Sequence, residues 1–252
     1  MNKIIRGRNA NTGKVKALFV AQVIMGVMPV LLLILFVWKK LYQTPIVGTV
    51  FIVLIFLCNT VYIVLARNYA VLSSGVKGEK RLFRTVKKLH GTNIVFHNLP
   101  VRYKRGRSEL DMLIVNHSGV IIVEVKNHSG TISGSWGDDK WTQRKHYRDG
   151  KVTETFMDNP IKQMRRQRDI VKSILGAAGE NVWIDSVLYF SSPNARLKLS
   201  LRENDYVCSD SAELLAFLRS YDNGETLSKS RMEHIEQIMR EAAGLDHTIL
   251  KK

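Results

Sequence analysis

Asp111, Glu124 and Lys126 are the residues of this chain on which chemistry can be built. They lie in the stretch from Glu109 to Lys126, where apolar runs from Met112 to Val115 and from Val120 to Val123 flank Asn116, His117, Ser118 and Gly119. That polar cluster favours a tight turn between two strands. With the turn centred on His117 and Ser118, Asn116 faces Gly119, and counting back sets Asp111 opposite Glu124 and Glu109 opposite Lys126. All four side chains then share one face. Two carboxylates directly across a strand pair, about 5 Å apart at Cβ, repel each other and destabilise the sheet unless something sits between them. A hard divalent cation is the simplest occupant, since Mg²⁺ is typically held by one or two carboxylates together with water and substrate phosphate oxygens. Lys126 follows Glu124 by two residues, on the same face of the strand, and so puts a positive charge beside the metal. There it can position an attacking water or stabilise the charge of a developing phosphorane.

Asp111, twelve residues, then Glu124, Val125 and Lys126 resembles the D…ExK core of the PD-(D/E)XK nuclease superfamily, and the fuller pattern resembles the nuclease-related domain called NERD. The likeness rests on Gly75, Gly78 and Glu79 opening a helix, on Glu109 and Asp111 in the next hairpin, on Glu124 to Lys126, and on Asn159, Pro160 and Gln163 opening a later helix. It covers about residues 73 to 190. Met112 departs from it, standing where many members carry a polar residue. The resemblance implies an α/β, restriction-endonuclease-like fold with a central mixed sheet flanked by helices. It further implies Mg²⁺ (or Mn²⁺) bound by Asp111, Glu124 and the Val125 carbonyl, with Lys126 catalytic and Glu79 and Gln163 completing the site.

These side chains need elements to hold them. Ser73 to Gly78 makes a small, polar junction, after which Leu82, Phe83, Val86 and Leu89 recur at helical spacing. Glu79 falls in the first turn of that helix, where a carboxylate serves either the site or the helix dipole. Ile94 to Tyr103 is expected as a strand, followed by a basic turn, Lys104 to Arg107. Beyond Lys126, alternating segments up to Met157 suggest a second, smaller hairpin. There Trp141, Arg144, Lys145, His146, Tyr147 and Arg148 have the aromatic and basic mixture of a single-strand binding surface, or of a solvated strand with one core Trp. Asn159 and Pro160 form a cap and first-turn pair for a helix to about Leu175, with Ile161, Met164, Val171, Ile174 and Leu175 as its core stripe. Gln163, one turn in, can reach a phosphate or a water at the metal site, or face solvent. Val182 to Phe190 and Tyr206 to Cys208 are expected strands. Helices from about Ser211 to Ser220 and Leu227 to Ala243 close a mainly helical extension, residues 191 to 252, without identifiable chemistry.

Composition divides the chain. Of 252 residues, those up to 66 contain no Asp or Glu and seven of the 38 Lys and Arg, leaving 31 basic against 22 acidic residues in the remainder. The excess suits an anionic partner, nucleic acid or a phospholipid surface. Residues 1 to 16 form a polar basic arm without hydrophobic periodicity, expected to be flexible. Residues 17 to 38 and 46 to 66 are two uncharged apolar runs, each long enough to cross a hydrocarbon core of about 30 Å, joined by a short connection at 39 to 45. They make a transmembrane hairpin, with Trp38, Tyr42, Tyr62 and Tyr69 as candidate interfacial anchors. Basic residues before the first run and after the second put both termini in the cytoplasm and the connection outside. Cys58 and Cys208 offer neither a disulfide framework nor zinc-ligand spacing, which fits a reducing compartment. There is no Walker-type phosphate loop and no dinucleotide fingerprint. The expectation is a membrane-anchored, divalent-metal-dependent nuclease acting on DNA or RNA. The alternative is a catalytically silent nucleic-acid-binding or scaffolding module on the same tether.

Overall fold

The computed structural model describes residues 2–7, 10–104 and 106–245. The chain divides into two compact units, one of residues 9–76 and one that joins the N-terminal residues to the chain from Lys77 onward.

The first unit is apolar helix. Helix α1, Ala10–Trp38, has 29 residues, about 43 Å at 1.5 Å per residue, and helix α2 begins at Pro45 after a single 3₁₀ turn, Leu41–Gln43. Phe19 meets Tyr69 and Phe36 meets Phe51, as expected of two antiparallel helices. Tyr62 packs against Gly26, 3.3 Å from where a Cβ would stand, so that glycine makes room for its ring. Phe19, Val20, Ile24, Leu31, Ile34, Ile52 and Phe56 are exposed, and both helices are long and apolar enough to span a membrane. Helix α1 starts seven residues before the expected span. The shared apolar run ends at Lys16, but the backbone stays helical through the polar residues before it.

Helix α2 runs unbroken from Pro45 to Val86. The expected junction at Ser73 to Gly78 is therefore helical, and Glu79 lies near the end of a 42-residue helix, away from any N-terminal dipole. Isolated glycines cost a helix only about 1 kcal/mol each, which does not break one this long.

The second unit holds two sheets. Strand β1, Asn2–Arg6, lies parallel to β2, Asn93–Tyr103, so the segment expected as a flexible arm is an edge strand, its Asn2 side chain donating to the Leu89 carbonyl and accepting from Asn93. Arg8 of that arm lies outside the described residues. Strand β2 pairs antiparallel with β3, Gly106–Asn116, and β3 with β4, Gly119–Lys126. Arg105, in the expected basic turn, is outside the described residues. From β4 the chain builds β5, Gly130–Ser135, β6, Lys140–His146, β7, Val152–Asp158, and helix α3, Pro160–Ala177, before returning as β8, Ile184–Phe190, parallel to β4. A parallel return needs such a crossover. Strand β9, Ala195–Ser200, joins β5; β10, Tyr206–Cys208, joins β8; and helices α4, Ser211–Ser220, and α5, Lys229–Ala242, follow. The sheets have the orders β1-β2-β3-β4-β8-β10 and β7-β6-β5-β9.

The region expected as a mainly helical extension thus supplies a strand to each sheet. Ala195–Ser200 alternates strictly, with Arg196, Lys198 and Ser200 exposed, so β9 had a period-2 signal, but only over six residues. Residues 246–252 of that extension lie outside the described residues. On one face of the large sheet Leu113, Val115, Val120 and Ile122 pack against Val171, Ile174 and Leu175 of α3 and Ile235 and Met239 of α5. On the other, Met112, Ile114, Ile121 and Val123 meet Leu82 and Val86 of α2 and Leu214 and Leu218 of α4. Trp141, Ile132, Ile161, Met164, Leu188 and Phe190 form a third core where the small sheet meets α3.

Candidate active site

The hairpin turn is built as the residues require. Asn116 pairs with Gly119, the Asn116 side chain accepts from the Ser118 N–H at 2.9 Å, and Gly119 has φ 129° with the Asn223 amide 2.8 Å from where a Cβ would be. Only glycine fits both conditions. Pairing then runs from Asn116–Gly119 to Met112–Val123 and ends. One residue further, where Asp111 would pair with Glu124, the Asp111 carboxylate accepts the Val125 N–H at 2.8 Å in place of a backbone carbonyl. The ladder opens at the residues that carry the charges. The expected pairing of Glu109 with Lys126 is not made: Glu109 is exposed and pairs with Pro100 of β2.

A second irregularity faces the opening from β2. Asn98 has φ 54° and stands at the register position opposite Asp111. In β2 the inward face passes from Ile94 and Phe96 to Leu99 and Val101, and in β3 from Val115 and Leu113 to Leu110, a one-residue change of phase in both strands at this point. The twist re-aims side chains there, as bulges and left-handed residues in strands do. Gly7 crosses Asn98 so closely that a Cβ would strike its carbonyl oxygen, and donates its N–H to the His97 carbonyl at 2.8 Å.

Helix α3 supplies the other side. Asn159 caps it, accepting from the Ile161 N–H at 2.9 Å while its amide donates to the carbonyls of Ser135, Trp136 and Asp138. So fixed, the helix presents Gln163 and, one turn on, Gln167. Glu124 is buried and accepts from Gln163 Nε2 and Lys126 Nζ at Oε1, both at 2.7 Å, and from Gln167 Nε2 at Oε2, also at 2.7 Å. Lys126 Nζ donates in turn to Gln163 Oε1 at 2.9 Å. Across the opening, Glu79 of α2 accepts from Asn98 Nδ2 at 2.8 Å. Gly78 lets α2 come close here, since a Cβ would stand 3.0 Å from Asn127 Cβ and 3.1 Å from Ser191 Oγ. Arg81, one turn of helix beyond Gly78, donates to Asn127 Oδ1 and the Ser191 carbonyl at 2.8 and 2.9 Å.

The structure therefore brings Asp111, Glu124, Lys126 and Gln163 together, with Val125 bonded to Asp111 and Glu79 joined through Asn98. Reasoning from sequence missed Gln167, Asn98 and Arg81. Gln167 had a signal, a polar residue four positions after Gln163 on the same helical face as Met164, Val171 and Ile174. Asn98 had none, because its role depends on its backbone conformation.

Burial and the neighbouring Glu124 charge push the Asp111 carboxyl well above the usual carboxylate range, although the Val125 N–H and Lys126 oppose this. One ammonium does not offset the two carboxylates. Among the described residues, Asn98 Oδ1 and Gln167 Oε1 are also buried without a donor, so the constellation is rich in oxygen acceptors. That is the donor chemistry of Mg²⁺ or Mn²⁺. No group of three or more His, Cys, Asp or Glu suited to a metal gathers among the described residues, so a cation here would rest on two carboxylates and a backbone carbonyl.

Trp141, considered above as part of a nucleic-acid surface, is fully buried and donates to the Ser135 carbonyl at 2.9 Å, and Arg144 pairs with Glu154 at 2.8 Å. For these two the solvated strand with one core Trp is the right description.

Residues 74–191 match the family NERD, described as the nuclease-related domain. An uncharacterized protein of Bacillus anthracis is 37% identical over 71 residues, 27% of this chain and 34% of that protein. The chain thus spans about a third of the length of that curated relative. No solved structure matches.

Proposed function

We propose that the nuclease-related domain at residues 74–191 hydrolyses phosphodiester bonds of DNA or RNA with a divalent metal, on a restriction-endonuclease-like sheet, and that the two apolar helices anchor it at the cytoplasmic face of a membrane. The observation that carries this reading is the opening of the β3–β4 ladder at Asp111 and Glu124, with Lys126 and Gln163 gathered beside it. Asp111, Glu124 and the Val125 carbonyl would hold Mg²⁺ or Mn²⁺. When bound, such an ion neutralises phosphate charge and lowers the pKa of water.

The protein's own groups supply the positioning. Lys126 is clamped between Glu124 and Gln163, so its ammonium is fixed where it can orient a water and offset charge gathering on the phosphate. Gln167 and Gln163 hold the Glu124 carboxylate from two sides, and Asn98 holds Glu79 at the rim. Basic residues before α1 and along α3 favour cytoplasmic termini and a nucleic-acid backbone as partner.

A second reading, a silent nucleic-acid-binding module, draws on one observation: both Glu124 oxygens are already met by Lys126, Gln163 and Gln167, so that carboxylate has its partners without metal. Incubating the detergent-solubilised full chain with labelled single- and double-stranded DNA and RNA, in Mg²⁺, Mn²⁺ or EDTA, separates the two. Metal-dependent cutting lost in Asp111→Asn and Lys126→Ala supports the nuclease. Binding without cutting under every condition, unchanged by either substitution, establishes the silent module.

A further inference from the structure

The three residues after Lys126 lead from the large sheet into the small one, and the last of them, Ser129, borders a pocket of about 610 Å³. Thr131, Lys145, His146, Tyr147, Asn194 and Arg196 are among its walls, and no carboxylate is, among the described residues. Along β6, Trp141, Gln143 and Lys145 share one face, so Lys145 projects on the side of the core, while Arg144 points away to Glu154. Lys145 has no carboxylate partner among the described residues, whereas Arg196, paired with Thr131 as Arg144 is, lies on the opposite, exposed face of the sheet. Tyr147, at the β6–β7 turn, is about half exposed.

The connection between site and pocket is fixed. Gln143 donates to the Ser129 carbonyl at 2.7 Å and meets His128 Nδ1 at 3.2 Å, which holds the segment following Lys126 against β6. Burial lowers the pKa of His128, and the charges of both Lys126 and Lys145 add to this, so positive potential extends from the site to the pocket.

We propose that this pocket is a subsite for single-stranded nucleic acid, which holds a nucleotide phosphate at Lys145 and stacks its base on Tyr147. An unpaired base offers a π face to an aromatic side chain, whereas a base in a duplex is already stacked and cannot enter a recess. Anionic lipid presents a flat charged surface, which suits protruding lysines better than the half-buried Lys145 of a recess. The inference rests on the nuclease reading for what the strand meets beyond Lys126, but binding in the pocket requires no cleavage.

The test is fluorescence anisotropy of labelled oligothymidylate with the full chain in detergent and EDTA. The Lys145→Gln variant should bind about fivefold more weakly at physiological salt, with its salt slope reduced by about 0.7, the value for one single-strand phosphate. Tyr147→Ala should lose about tenfold and Tyr147→Phe should stay near wild type, since stacking needs the ring and not the hydroxyl. Thermal melting by circular dichroism should be unchanged throughout. Variants that bind as wild type does, or a wild type that binds no oligothymidylate, overturn the proposal. So does oligothymidylate binding that short-chain phosphatidylglycerol abolishes in wild type and variants alike. Binding through these residues by a protein that never cuts would remove the nuclease reading and leave the subsite standing, while cutting with unaltered binding in the variants would do the reverse.

Discussion

The β3–β4 hairpin has two halves that differ in what they bury and in how they are joined. From Asn116–Gly119 to Met112–Val123 every rung is paired and Met112 to Val115 and Val120 to Val123 are fully buried. Beyond Met112–Val123 the rungs stop, an aspartate side chain takes the place of a backbone acceptor, and a buried glutamate is held by three donors. The closed half gains from apolar burial and can bear a neighbour that repels. The open half keeps two carboxylates close at a cost the closed half offsets, and a site needs that cost, because two carboxylates beside a single ammonium keep the net negative charge that attracts a cation. The division of labour within sixteen residues is between stability and chemistry.

The comparison makes predictions of decreasing size. Substitutions in the open half should act on turnover and not on folding. Asp111→Asn and Lys126→Ala are each expected to reduce metal-dependent cleavage by about 10²–10³-fold or more, as loss of a preorganised charge typically does. The melting temperature of Asp111→Asn should stay within a few degrees of wild type or rise, since one partner of a repulsive pair is neutralised, whereas Lys126→Ala also takes a charged donor from buried Glu124 and should lose some stability while still folding. A collapse of folding in either variant would break the distinction.

The closed half should behave in the opposite way. Ile114→Ala or Ile121→Ala removes a fully buried side chain and should cost about 2–5 kcal/mol in denaturant unfolding, with cleavage per folded molecule retained. Equal losses of stability and specific activity would show that the halves are not separable.

Gln167 lies on the boundary and should show both effects at moderate size. In Gln167→Met the volume is kept but Glu124 Oε2 loses its donor, so a stability loss of about 1–3 kcal/mol is expected. Cleavage should fall through kcat with KM little changed, because Gln167 positions Glu124 without touching substrate. A change confined to KM would place Gln167 at the substrate instead.

The smallest effect concerns pH. His97 pairs with Met112 at the last closed rung, and burial, with Arg6 nearby, lowers its pKa to about 4. Its folded value is below the unfolded one of about 6.5, so the unfolded chain binds more protons between them. Stability should be fully present above pH 6.5 and fall as the pH drops toward 4. Part of the ring meets solvent, which reduces the contribution to about 1 kcal/mol. The slope of denaturation midpoint against pH over this window should flatten in His97→Gln; an unchanged slope would assign the acid sensitivity to other groups.

Much of the hairpin was legible because its information is local. The Asn-His-Ser-Gly turn and the alternation on either side fix which residues pair, and the observed register is the one obtained by counting from the turn. Asn159 and Pro160 likewise start α3 where a cap and a first-turn proline must. The two apolar runs declare themselves by composition alone. Elsewhere local signals misled. Gly75 and Gly78 resemble a junction, but they lie inside a helix, where Gly78 serves a close approach to Asn127 and Ser191. Asn2–Arg6 has no periodicity of its own, yet becomes a strand because β2 offers it an edge.

By itself, then, the sequence determined the pairing of the central strands, the cap of α3, the apolar hairpin and the set of charged residues near the turn, since each depends on neighbours a few positions apart. Only the tertiary structure decided that the ladder opens at Asp111, that Asn98 turns both strands there, that Gln167 reaches Glu124 from 43 residues away, and that Trp141 is core while Lys145 lines a pocket. These outcomes depend on which distant elements arrive at the same place. Burial and charge balance act on that assembled neighbourhood, not on the order of residues along the chain.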